Sequence, residues 1–158
     1  MLPPSDAPSP LPSPSELAQT RQQALAQLCA AYQVAALYAF GSRSKEALRW
    51  VSGEQHALAA GPSDLDIGVR PVPGVRLPVA AKVGLAVALE DLFTCARVDL
   101  VVLPEVDPFV AAEVICGELL VTRDQYEADE YELYVLRRAG DLIPLERERQ
   151  ELVLRGPQ

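Results

Sequence analysis

Residues 63–70 read SDLDIGVR, and this stretch constrains the chain more than any other. Two acids alternate with two large aliphatics, which is the period of a β-strand with one face in a core. Leu65 and Ile67 then point inward together, and Asp64 and Asp66 share the opposite face. A second stretch, RVDLVVL at 97–103, repeats the pattern with one acid: Asp99 lies between Val98 and Leu100. Aspartate is a poor strand residue, so its place inside an aliphatic run is unusual. If the two strands are neighbours, three carboxylates converge on one face of one sheet.

The remaining elements follow from periodicity and breakers. Ser13-Pro14-Ser15-Glu16 carries a serine N-cap, a proline in the first turn and a glutamate three residues on from the cap. This predicts a helix to about Tyr32, with Leu17, Ala24, Leu25 and Leu28 as its apolar stripe. Val34 to Phe40 reads as a strand, Arg43 to Val51 as a helix and Gly53 to Gly61 as a loop. The second strand spans Asp64 to Val69, and the proline-rich residues 71–78 form a loop. A helix over Ala80 to Phe93, the third strand Arg97 to Leu103 and a helix from Pro108 to about Cys116 come next. The short apolar piece ELLVT follows, and a last long helix starts near Asp124 and extends to about Arg138. Strands alternating with helices make this an α/β or α+β chain with a small sheet packed against helices.

The 158 residues suit one domain over 13–145, preceded by a disordered Pro/Ser-rich segment at 1–12 and followed by a charged tail at 146–158. A net charge of −8, with 22 acids against 14 bases, argues against unspecific binding to nucleic acid or to an anionic membrane. Three widely spaced cysteines, Cys29, Cys95 and Cys116, read as reduced and buried, and with no signal peptide or long apolar run the protein reads as cytoplasmic. His56 is the sole histidine, so no zinc cluster is expected. His56, Lys82 and Trp50 are read as an exposed loop residue, a solvated cation and a core or partner residue. Tyr126, Tyr131 and Tyr134 suit either an interface or packing on the sheet.

Carboxylates this close repel, and a divalent cation that prefers oxygen, Mg²⁺ or Mn²⁺, is the natural compensation. The first strand also hands over to its helix through Gly41-Ser42, in YAFGSRSKEAL. Either a plain turn or a phosphate cradle explains that pair by itself.

Taken together, Gly41-Ser42 after a strand, Asp64-x-Asp66 on the next and Asp99 on a third resemble the nucleotidyltransferases of the DNA-polymerase-β type. The small size and the downstream FVAAEVICGELLVTRDQYEADEY resemble the minimal nucleotidyltransferases (MNT), the antitoxins of HEPN-domain toxins. The resemblance covers about residues 15–145. It implies that Gly41, Ser42, Arg43 and Ser44 bind the triphosphate of ATP. It implies that Asp64, Asp66 and Asp99 hold Mg²⁺ or Mn²⁺, with Asp99 also assisting deprotonation of the acceptor. It further implies transfer of AMP to a hydroxyl, a tyrosine of a HEPN toxin. Antitoxin action by binding alone, and transfer to a small molecule such as an aminoglycoside, are the alternatives. One departure concerns the pocket: residues 43–63 separate the Gly-Ser pair from the first aspartate, longer than the family's usual connection, with the extra segment around Leu48 to Ala60.

Overall fold

The computed structural model describes residues 9–61 and 63–156. Most of the expected N-terminal disordered segment, residues 1–8, lies outside them, while residues 9–12 are exposed and without regular structure. The elements are α1 (Pro14–Ala31), β1 (Val34–Phe40), α2 (Ser44–Val51), β2 (Leu65–Pro71), α3 (Val79–Phe93), β3 (Val98–Val102), α4 (Pro108–Ile115), β4 (Glu118–Thr122) and α5 (Gln125–Arg155). A 3-10 turn, Gly41–Arg43, joins β1 to α2.

The helix starts obey the capping signals. Ser13 and Glu16 close a reciprocal box at α1. Asp107 caps α4 and Asp124 caps α5. The start of α2 has no side-chain cap, and the same holds for the turn before it.

The four strands form one mixed sheet in the order β3-β2-β1-β4. β1 is antiparallel to β2 and β4, and β2 is parallel to β3 through the α3 crossover. β1 is central, and six of its seven residues are buried, as its unbroken apolar run requires. On one face Leu37, Ala39, Leu65, Ile67, Val69 and Val98 pack with Leu25, Cys29, Ala47, Trp50, Leu85, Leu89 and Phe93 of α1, α2 and α3. On the other, Ala36 and Tyr38 pack with Ala111, Val114, Ile115 and Val135 of α4 and α5. The second layer is latched by polar contacts. The Tyr38 hydroxyl donates to Glu132 at 3.0 Å, and Arg70 donates to the Glu127 carbonyl at 3.1 Å while lying over the Tyr131 ring.

Three expectations shift. α5 runs to Arg155 rather than to about Arg138. Gly140 and Pro144 signal a break, yet both are accommodated inside a continuous helix that ion pairs such as Glu146–Arg149 support. β2 ends on Pro71 rather than before it; the irregular pairing beside Val34 is the sort of sheet position where a missing N–H is tolerated. Of the cysteines only Cys29 is buried; Cys95 is half-buried and Cys116 exposed, because Cys116 caps the end of α4 and not its inner face. Trp50 is core, against Phe93, and Tyr131 packs on the sheet while Tyr126 and Tyr134 are exposed. Among the described residues no helix is long and apolar enough to cross a membrane.

Candidate functional site

The strand register decides where the acids go. Asp66 of β2 lies between Phe40 of β1 and Asp99 of β3, so the two aspartates are direct neighbours across the parallel pair. Asp64 sits one residue before β2 and two before Asp66. All three lie toward the α4/α5 side, because Leu65, Ile67, Val98 and Leu100 are taken by the opposite core.

The backbone packs closely there. Gly41 has φ +72°, a left-handed conformation that favours glycine. A Cβ at Gly41 would lie 2.5 Å from Asp66 Oδ2, so the turn between β1 and α2 runs against the carboxylate. Gly68, two residues beyond Asp66 on the same face, leaves no room for a Cβ because Val114 of α4 occupies that space. α4 therefore presses on the sheet at Gly68, while Asp66 is only half-buried and Asp99 is exposed.

The electrostatics follow. Burial, with the nearby charges of Asp99, Asp64 and Glu113, holds the Asp66 carboxyl above its ordinary value. The contact from a cation is weak: Arg97 Nε stands 3.6 Å from Asp64 Oδ2, and both side chains are solvent-accessible. Among the described residues no three His, Cys, Asp or Glu side chains are drawn together closely enough to hold an ion by themselves. The donor set, carboxylate oxygens without imidazole or thiolate, fits Mg²⁺ or Mn²⁺. Such ions are held by one or two carboxylates and completed by water and substrate phosphates, so a closed protein cage is not required.

Next to the carboxylates, Gly41 and Ser42 are exposed and Ser44 is half-buried, at a helix start with no side-chain cap. The Ser44 N–H donates to the Gly41 carbonyl, and the other N–H groups of the turn and first helical turn can meet an anion. Arg43, beside them, is hydrogen-bonded within the chain. Its guanidinium donates to Glu46 at 3.0 Å, to the Ala59 carbonyl at 2.7 Å and to the Ser63 carbonyl at 3.1 Å. Lys82 pairs with Glu105, tying α3 to the turn after β3.

The long connection between α2 and β2 is folded back onto α1 and α2. Arg21 donates to the carbonyls of Trp50, Gln55 and His56 at 2.6–2.7 Å, with its guanidinium over the Trp50 ring. Glu46 accepts from the Ala59 amide and from Gln55. The His56 side chain is exposed.

Sequence reasoning missed two charged residues. Arg97 was legible in principle, since it stands two residues before Asp99 and so shares its face. Glu113 carried no signal, because only the packing of α4 on Gly68 brings it near Asp66.

No protein-family model matches the chain, and no curated protein does. Solved structures do. A chain of a toxin–antitoxin crystal structure with AMP-PNP aligns over 84% of this chain and 94% of its own, at 22% identity and a TM-score of 0.60. A chain of the complex of tri-AMPylated Shewanella oneidensis HEPN toxin with MNT antitoxin aligns over 86% and 95%, at 20% identity and a TM-score of 0.58. The MntA–HepT toxin–antitoxin structure aligns over 85% and 95%, at 20% identity and a TM-score of 0.57. The chain shares the fold of these toxin–antitoxin chains. Within that fold, Gly41, Asp66 and Asp99 meet where β1, β2 and β3 run side by side.

Proposed function

We propose that this protein is a metal-dependent nucleotidyltransferase that moves AMP from ATP to a protein hydroxyl, a tyrosine of a HEPN toxin, and so acts as the antitoxin of a toxin–antitoxin pair. One observation carries the reading: Asp66 lies beside Asp99 in register while Gly41 closes on it from the uncapped start of α2. The AMP-PNP and AMPylation named for the two neighbouring structures support the choice of nucleotide and acceptor.

In this reading the triphosphate lies on the backbone at Gly41 and Ser42, with the Ser42 hydroxyl and the amides toward Ser44 donating to it. The Arg43 guanidinium holds the loop at Ala59 and Ser63, which fixes the turn that carries those amides. Asp64, Asp66 and Asp99 would hold Mg²⁺ or Mn²⁺, which supplies charge neutralisation and favours ionisation of the attacking hydroxyl. Asp99, the most exposed strand position of the three, takes the acceptor proton. The acceptor oxygen bonds to the α-phosphorus, and the bond from that phosphorus to the pyrophosphate oxygen breaks. Positioning and charge compensation carry the catalysis. Residues 13–145 would form the catalytic domain, with the segment from 146 as a charged extension.

The test is incubation with labelled ATP, Mg²⁺ and the product of the adjacent gene. One AMP or more should appear on that product, and no transfer from a folded protein overturns the proposal. A second reading, neutralisation by binding alone, rests on the long connection between α2 and β2, which is held beside the Gly41-Ser42 turn by Arg43. Under it, Asp64→Ala with Asp66→Ala leaves neutralisation intact, whereas under the catalytic reading the same pair abolishes it.

A further inference from the structure

α5 buries one apolar stripe and leaves several apolar side chains exposed, Tyr134, Leu145 and Leu152 among them. Ala128, Val135 and Ala139 are buried against the body of the protein. Tyr126, Leu133, Leu136 and Ile143 form a second line around the helix, 74%, 47%, 46% and 41% exposed. From Leu133 onward, with Gly140, they follow the alternating three- and four-residue spacing of a helix-pairing seam, and Tyr126 stands one heptad earlier. Gly140 is the irregular member. A Cβ there would meet nothing within 4 Å, so nothing among the described residues requires glycine in mid-helix. Pro144, four residues on, has no N–H to give the Gly140 carbonyl. Two residues that weaken a helix are thus placed together at the C-terminal end of an uncovered apolar line.

We propose that this line is a dimer seam, on which a second copy of the chain packs its own α5 antiparallel. The register that seats Leu136 against Gly140 of the second copy also faces Leu133 to Ile143 and Asp129 to Arg147. These pairs stand symmetrically about position 138, so each occurs twice around a two-fold axis, as a self-complementary interface demands. Leu136 is the knob and Gly140 the hole. Asp129 and Arg147 are both exposed, and Arg147 makes no ion pair among the described residues. Opposite charges on Asp129, which accepts from Gln125 at 2.8 Å, and on Arg147 stand at equal distances from position 138, so this face is complementary to itself, and that is the argument for a second copy.

The experiment is sedimentation equilibrium of the purified full-length chain from roughly 1 to 200 µM. The wild type should dimerise within this range. Gly140→Leu fills the hole and should weaken the dimer at least about tenfold, while circular dichroism shows the helix retained, since leucine is the better helix former. Asp129→Arg alone should weaken association, and Asp129→Arg combined with Arg147→Asp should restore it. A wild type that stays monomeric throughout overturns the proposal, as does a dimer indifferent to Gly140→Leu or a charge swap that fails to recover. Protection of the Leu133–Ile143 segment from hydrogen exchange only when a different protein is bound also overturns it, and assigns the face to that partner.

Discussion

The two sides of β2 have been given different work. Leu65, Ile67 and Val69 are fully buried under α1, α2 and α3, in a layer with no polar member. Asp66, Gly68 and Arg70 alternate with them on the other side, and each has a distinct task. Gly68 admits Val114 of α4, Arg70 grips Glu127 and Tyr131 of α5, and Asp66 lies at the carboxylate end beside Gly41 and Asp99. One strand therefore separates stability from chemistry by single-residue alternation. Burial first, and then the charges of Asp99, Asp64 and Glu113, hold the Asp66 carboxyl above its ordinary value, a cost that the apolar opposite face offsets.

That separation can be broken or sharpened by substitution along β2. The largest effect is expected for Asp66→Asn, which should lower AMP transfer by at least about 10³-fold, measured with labelled ATP. Its melting temperature should stay level or rise, because a charge repelled by its neighbours is removed. A clear loss of stability would mean that Asp66 belongs to the structural side after all. Ile67→Ala, one residue on, should do the reverse. It should cost about 3 kcal/mol in denaturant unfolding, with transfer per folded molecule unchanged.

Gly41→Ala tests the border between the two sides. The positive φ at Gly41 and a Cβ 2.5 Å from Asp66 Oδ2 should together cost about 1–2 kcal/mol. Displacing the carboxylate should lower transfer about 10²-fold. If transfer survives while stability falls, the turn is structural only.

Much of this division was legible in the residues. The period of two in SDLDIGVR placed Leu65 and Ile67 against Asp66, and the acid inside RVDLVVL picked out Asp99. Their adjacency required the parallel pairing of β2 with β3, which sequence offers only as a condition. The residues from Asp141 on, ending in ERERQELVLRG, read as a helical or frayed charged segment; what was not legible is that they continue the same helix without a break, because Gly140 and Pro144 both weaken a helix. The employment of Arg43 was hidden for a related reason. Next to Gly41-Ser42 it reads as a phosphate ligand, yet its partners, Ala59 and Ser63, come from a loop whose path has no periodicity to betray it.

The smallest expected effect concerns that loop, which paired charge ties to the start of α2. Glu46 accepts from Arg43, Gln55 and the Ala59 amide, and the Arg43 hydrogen bonds hold its carboxyl below the ordinary value. A depressed folded-state pKa means that the contribution is full above the unfolded pKa of glutamate and is lost as pH falls through the lower, folded value. Glu46→Gln should therefore destabilise the protein by about 1 kcal/mol at neutral pH, after allowance for solvent screening. The difference between variant and wild type, read from denaturant midpoints across pH, should close on acidification. The wild type should lose its advantage only below the ordinary glutamate range. A gap that persists undiminished in acid would show that Glu46 acts by packing, and that the loop is fixed by Arg21 and Trp50 without help from the Arg43 latch.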